Sequence, residues 1–292
     1  MKKGSFSYLC RLVRAWWRWR PFRKQIKFGL VLRLVFSTLL ANLKNALAPK
    51  KDVGCGFCGW QGEKFFPTLD VSNQRLRLGV KCPRCGSLDR QRLLLEVLKR
   101  ETDLFLRSKS SKILDLGTTE PLKNLCLKRG LEYADIDLYR DDAQYRIDAE
   151  NLKFPDGTFD FIIAAHILDH LADDAACLKE IKRVLKAGGT AILQHEVHHD
   201  RPKTRESPSS VHYHWGHVRE YGEDFEEKVS KLGFGVSISG ILQNSSLQDK
   251  KKYGLLPPNQ PDRKYSNVFI LRKTTPPENP PPAAPAGSGS AG

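Results

Sequence analysis

The strongest constraint in this chain is an alternation that begins at Lys112. Apolar runs of strand length at 112–116, 131–137, 159–165, 190–197, 234–240 and 267–272 are separated by helical periodicity at about 120–129, 173–186 and 223–232. That order predicts an α/β fold, a Rossmann-like, doubly wound and mostly parallel sheet with helices on both faces. In such sheets ligands lie beyond the carboxyl ends of the strands, where the strand order reverses. The first run ends in Gly117-Thr118-Thr119-Glu120-Pro121, so this loop is expected at the crevice.

Upstream stand two Cys-x-x-Cys hooks, Cys55-Gly-Phe-Cys58-Gly and Cys82-Pro-Arg-Cys85-Gly. Two thiolates at that spacing hold one ion through a tight turn, and the following glycine permits the backbone that the turn needs. Two hooks complete a four-sulfur zinc site with no open position, which points to a structural role. Leu76, Leu78 and Val80 alternate as in a ribbon strand. Ser87 is the expected N-cap of the next helix, with Leu88, Leu94, Leu95 and Leu98 as its apolar stripe. Cys10, Cys126 and Cys177 read as small apolar residues or free thiols.

Asp137 is the next acidic residue at a strand end, 20 residues past Gly117, where a carboxylate can accept hydrogen bonds from ribose hydroxyls. This arrangement alone leaves both a nicotinamide dinucleotide and S-adenosylmethionine open. The continuation carries more. Asp148-Ala-Glu150-Asn-Leu152, Phe154-Pro-Asp-Gly-Thr-Phe159-Asp160 and Val184-Leu185-Lys-Ala-Gly188-Gly189 follow in order. Together they resemble class I S-adenosylmethionine-dependent methyltransferases over residues 112–240. The hook Cys82-Pro-Arg-Cys85-Gly-Ser87 with downstream arginines, the loop ending in Glu120-Pro121, His166-Ile-Leu-Asp169-His170 and Gly216-His217-Val-Arg219-Glu-Tyr221-Gly222 look like bacterial members with an N-terminal zinc ribbon, some tied to surface polysaccharide synthesis. The resemblance implies that Asp115, Gly117 and Glu120 serve the methionine end of the cofactor, Asp137 the ribose, and Asp148 and Glu150 the adenine. The family's usual glycine-rich loop is reduced here to Gly117. A cofactor site with an altered loop is expected, and a fold with a dead pocket is the alternative.

Residues 1–51 hold 13 of the 48 Lys and Arg and none of the 33 Asp and Glu, so the rest of the chain is close to neutral. The overall basicity is therefore no argument that the body binds nucleic acid. Arg11 to Lys24 interleaves arginine with Trp16, Trp17 and Trp19, and Ile26 to Leu47 reads as a helix. Phe28, Leu32, Val35, Phe36, Leu39, Leu43 and Leu47 form one stripe at helical spacing, while Leu30, Val31 and Leu34 fall off it. An interfacial helix on an anionic membrane is expected. A helix packed on the protein's own body with the tryptophans as staples, or on a partner, and an organellar transit peptide are the alternatives. Residues 274–292 are Pro, Ala, Gly and Ser and read as a disordered tail. The expected division is 1–51 basic segment, 52–87 zinc ribbon, 88–273 methyltransferase domain and 274–292 tail.

A hydroxyl or amine acceptor needs a proton removed, which directs attention to the histidines. His166 and His217 are the candidate bases, His166 and His170 following the fourth strand. A second metal site among His195, Glu196, His198, His199 and Asp200 is weaker than an exposed loop of solvated histidines. Arg219 and Tyr221 could grip an anionic or sugar substrate or simply pack the loop. The expected function is methylation of a small or glycan-like acceptor, lipid-linked at the inner face of a membrane. An RNA methyltransferase using the ribbon and basic arm is the runner-up, and a non-catalytic binding protein the third reading.

Overall fold

A computed structural model describes residues 27–48, 51–70, 74–107, 110–117, 119–207, 217–255 and 267–273. The Arg- and Trp-rich stretch 11–24, the tail 274–292, Cys10, Thr118, His212 and His214 lie outside these residues.

The first element is helix α1 (Phe28–Leu47). Two small antiparallel pairs follow: β1 (Val53–Gly54) with β2 (Gln61–Gly62), and β3 (Phe66–Asp70) with β4 (Arg75–Lys81). Helix α2 (Asp89–Arg100) leads into the large sheet. Its strands are β5 (Lys112–Leu116), β6 (Glu132–Ile136), β7 (Phe159–Ala165) and β8 (Leu185–His195). Helices α3 (Glu120–Lys128) and α4 (Asp174–Val184) connect them. A short pair, β9 (Arg205–Glu206) and β10 (Arg219–Glu220), forms a flap. Then come α5 (Phe225–Lys231), β11 (Phe234–Ile238), α6 (Ile241–Asn244), α7 (Leu247–Tyr253) and β12 (Asn267–Lys273).

The six strands lie in the order β11-β12-β8-β7-β5-β6. β6, β5, β7 and β8 run parallel, and β12 is antiparallel to both of its neighbours. The apolar alternation fixes which side each residue faces. Leu114, Leu116, Ile162, Ala164, Ala191 and Leu193 pack with Cys177, Leu178, Ile181 and Val184 of α4 on one face. Ile113, Phe161, Ile163 and Ile192 pack with Leu93, Leu94, Val97 and Leu98 of α2 and Leu122 and Cys126 of α3 on the other. Cys126 and Cys177 thus act as small core residues, and burial pushes the Cys126 thiol up to about 12. The strand order reverses between β5 and β7, and that switch point locates the crevice.

Two expectations change. Ser87 does not cap α2: the residue before the helix is Leu88, whose N–H is held by Gln91 Oε1 at 2.9 Å, because Ser87 Oγ is engaged by the sulfurs of Cys55 and Cys85 at 3.3 Å. α2 has no single stripe, since Arg92, Leu93, Leu94, Leu95, Glu96, Val97 and Leu98 are all buried between the ribbon and the sheet. Helix α1 does dock on the body, with its stripe turned outward. The side chains of Phe28, Leu32, Val35, Phe36, Leu39, Leu43 and Leu47 are exposed, from 44% at Val35 to 74% at Leu47. The opposite face docks instead. Leu30, Val31 and Leu34 are half-buried, and Thr38 and Ala41 are buried, Ala41 against Phe66 of β3. Asn45 Oδ1 accepts from the N–H of Glu63 and Lys64 at 2.8 and 3.0 Å, and its Nδ2 donates to the Lys64 carbonyl. Small side chains allow this close approach where the large stripe residues would not.

Candidate active site and cysteine centre

The two hooks converge from the ends of β1 and β4. Cys55 Sγ lies 3.6 Å from Cys85 Sγ, and Cys58 Sγ 3.6 Å from Cys82 Sγ. All four sulfurs fall within 4.8 Å of one another. Four thiolates around a tetrahedral zinc stand about 3.8 Å apart, so the set fits that ion. Gly59 and Gly86, the residues after each hook, take the left-handed backbone (φ 68° and 77°) that the turns require. Arg92 welds this module to the sheet. Its buried guanidinium donates to the carbonyls of Val80, Ser87, Tyr253 and Gly254 and lies 3.8 Å over the Phe65 ring.

At the switch point, Asp115 sits near the end of β5, wholly enclosed. Its Oδ2 accepts from the Thr119 N–H at 2.8 Å and from the Tyr133 hydroxyl, while Oδ1 has no partner. Burial pushes its carboxyl up to about 6. Asp115 therefore acts on a ligand only through the loop it braces. Gly117 turns that loop with φ 98°, and among the described residues beyond its chain neighbours a Cβ there would meet only Ile167 at 3.9 Å. Glu120 is exposed at the start of α3 and accepts from Asn124 Nδ2 at 2.9 Å. Asp137 follows β6 and spends Oδ1 on the N–H groups of Tyr139 and Arg140. The segment before Asp148 forms no third parallel strand beside β6, only a single bridge between Ile136 and Tyr145. Asp148 Oδ1 holds the Glu150 N–H at 2.9 Å, and Glu150 Oε1 holds the Asp173 N–H at 3.0 Å at the start of α4. Glu120, Asp137, Asp148 and Glu150 thus follow β5, β6 and the bridge, while Asp115 stands behind them.

The other lip is built at the end of β7. His166 takes a left-handed backbone (φ 54°), fixed by its N–H to the Gln194 carbonyl at 2.6 Å. Such a conformation in a residue other than glycine is strained. Its Nε2 is enclosed without a hydrogen-bond partner, and burial pushes the ring down to about 3. Asp169, also buried, has Oδ2 3.0 Å from His217 Nε2. Burial alone would raise the Asp169 carboxyl, but the His217 hydrogen bond and charge outweigh it and hold it well below the usual range. Burial likewise opposes the charge on His217, and the Asp169 bond reverses that and raises its pKa. His170 packs edge-on to His217 with ring centroids 4.5 Å apart.

β10 delivers His217. The Val218 N–H bonds the Asp169 carbonyl at 2.8 Å, and Arg219 donates to the carbonyls of Leu168, Leu171 and Ala172. Arg219 and Tyr221 are buried, and the Tyr221 hydroxyl bonds Asp174 at 2.6 Å, so both pack the loop. His195 does not belong to a solvated loop. It ends β8 on the inward face, stacked on Phe269 and edge-on to Phe225, and burial pushes it down to about 4. Among the described residues no metal cluster forms over His195–Asp200: His198 lies beside Glu196 and Asp200, and His199 meets Asn267 and Glu223.

Residues 123–193 match the methyltransferase domain family. The chain carries a class I S-adenosylmethionine-dependent methyltransferase domain. It is 35% identical over 60 residues to ajmaline N-methyltransferase of Rauvolfia serpentina, covering 20% of this chain and 21% of that one. It is 25% identical over 167 residues to a ubiquinone/menaquinone biosynthesis C-methyltransferase of a Shewanella species, covering 54% and 62%. A solved S-adenosylmethionine-dependent methyltransferase from Mesorhizobium loti aligns with a TM-score of 0.45 at 17% identity, over 57% of this chain and 94% of that one. The chain thus spans about a fifth to three-fifths of the length of these curated relatives.

Within the methyltransferase domain, sequence reasoning missed two residues. Asp169 was visible only as part of His166-Ile-Leu-Asp169-His170, and nothing local announced its pairing with His217, 48 residues away. Arg90, in the first turn of α2, shares this lip: its charge depresses His166, and Asp169 partly offsets the burial that lowers Arg90 itself. The resemblance included the arginines downstream of the second hook, but nothing local announced that the charge of Arg90 would reach His166.

Proposed function

We propose that this chain transfers a methyl group from S-adenosylmethionine to a small or glycan-like, lipid-linked acceptor on the inner face of a membrane. The observation that supports it best is the pairing of two unlike lips across one switch point. One is a Gly117 turn bordered by acceptor groups, the other a buried Asp169 paired with a half-exposed His217. Bound S-adenosylmethionine would supply an already activated methyl group, so alignment carries much of the rate. Carboxylates at Glu120, Asp137, Asp148 and Glu150 suit the amine and hydroxyl donors of that molecule. Asp115 keeps the loop in place behind them.

On the acceptor side, His217 takes the proton that the attacking hydroxyl or amine releases. Asp169 orients the ring through Nε2 and stabilises the cation that forms. His166, held neutral by its burial, is the poorer base and serves as a hydrogen-bonding group at the lip. The four cysteines hold a structural zinc ion.

Calorimetry of the full chain with S-adenosylmethionine tests the first step. Binding in the wild type, weakened at least tenfold by Asp148→Ala and by Gly117→Val, supports the reading. No binding would leave a domain with a dead pocket. Mass spectrometry of lipids, glycans and RNA from cells with and without the protein then reads the acceptor, and a methyl difference in RNA would favour the nucleic-acid alternative.

A further inference from the structure

We infer that the outward stripe of α1 is a docking face for an anionic bilayer, lying in the plane of the interface on a mount made by the cysteine ribbon. This rests on the membrane-surface part of the proposed function and gives that surface its residues and its orientation.

Three observations carry it. Seven large apolar side chains, Phe28, Leu32, Val35, Phe36, Leu39, Leu43 and Leu47, share one helix face and are exposed. The other face is consumed by the ribbon through Thr38, Ala41 and Asn45, so the stripe is held away from the body. The partner must tolerate basic charge, because residues 1–51 hold 13 Lys and Arg and no acid, with Trp16, Trp17 and Trp19 among them. An apolar face flanked by arginine and tryptophan fits the headgroup zone of a negatively charged membrane.

The mount also decides between lying and spanning. By length and composition α1, 20 residues with mean hydropathy 1.4, could cross a bilayer. Its first buried residue, however, is Thr38, and Asn45 is bonded to Glu63 and Lys64. Spanning would draw those charged ribbon residues into hydrocarbon. The part ahead of Thr38 is ten residues, about 15 Å at 1.5 Å each, against the ~30 Å that a crossing needs. An in-plane helix satisfies both faces at once.

The test is co-sedimentation of the full chain with vesicles of phosphatidylcholine containing a quarter phosphatidylglycerol, beside the combined variant Leu32→Gln, Phe36→Gln, Leu39→Gln and Leu43→Gln. All four side chains are exposed, so the fold should survive, and circular dichroism checks it. Expected are retention of the wild type, at least tenfold weaker partitioning of the variant, and loss of retention on pure phosphatidylcholine. Equal retention of the variant would overturn the docking face. So would a stripe-dependent dimer in light scattering that replaces vesicle binding. Wild-type protein that stays in cell membranes after an alkaline carbonate wash would overturn the in-plane geometry. Calorimetry with S-adenosylmethionine on the same variant separates the two ideas: unchanged affinity with lost vesicle binding leaves the cofactor reading intact.

Discussion

The Asp169–His217 contact shows how one buried carboxylate sets the chemistry of a lip. Removing its charge while keeping its shape, Asp169→Asn, is expected to lower the His217 pKa, read by NMR titration of the imidazole. No shift would leave the pair a packing contact. His195 makes the opposite case, a histidine used as an aromatic. Its folded pKa, about 4, lies below the unfolded value of 6.5. Above pH 6.5 neither state is protonated there. As pH falls from 6.5 to 4, the unfolded chain takes up a proton that the folded chain refuses, and stability is lost. His166 acts in the same window with the same sign. His195→Phe should therefore flatten the acid limb by up to about 3 kcal/mol at pH 4 relative to pH 8, measured in urea. The difference between these two histidines was not legible in the sequence. His195 closes an apolar run and His217 a polar, histidine-rich stretch, but neither setting announces the packing of Phe225 and Phe269 on the one or the pairing of Asp169 with the other.

At the level of elements, the strands were easiest to read because both faces of the parallel sheet are buried, which writes them as short, mostly apolar runs. The loops after β5 and β6 were legible as turns at a crevice, yet their partners were not. Asp137 and Asp148 bond nearby backbone N–H groups, so part of each carboxylate serves the turn that presents it. Helix α1 was legible over Phe28–Leu47, while the face it docks with was not, because small residues leave a weaker signature than leucines. α2 hid its burial because Arg92 and Glu96 look like a solvated face in sequence. Arg92→Lys should cost about 3 kcal/mol in urea unfolding, since a single ammonium cannot reach carbonyls on separate segments as a planar guanidinium does.

Across the whole molecule, three parts share one chain of contacts: α1 on the ribbon, the ribbon on α2, and α2 on the sheet. Loss of the ion proposed at the four cysteines should therefore loosen α1 and the ribbon without melting the domain. With a strong chelator present, hydrogen exchange is expected to rise across 51–88 and in α1 while β5, β7 and β8 stay protected. A uniform rise would show that the modules unfold together.

The guanidinium of Arg92 bonds carbonyls about 160 residues downstream, and β12 slots between two strands already made. On the ribosome, at five to twenty residues per second, a buried cation would wait on the order of ten to thirty seconds for its last acceptors. During that interval the nascent chain exposes a half-closed sheet, and its native state becomes available only once β12 has emerged.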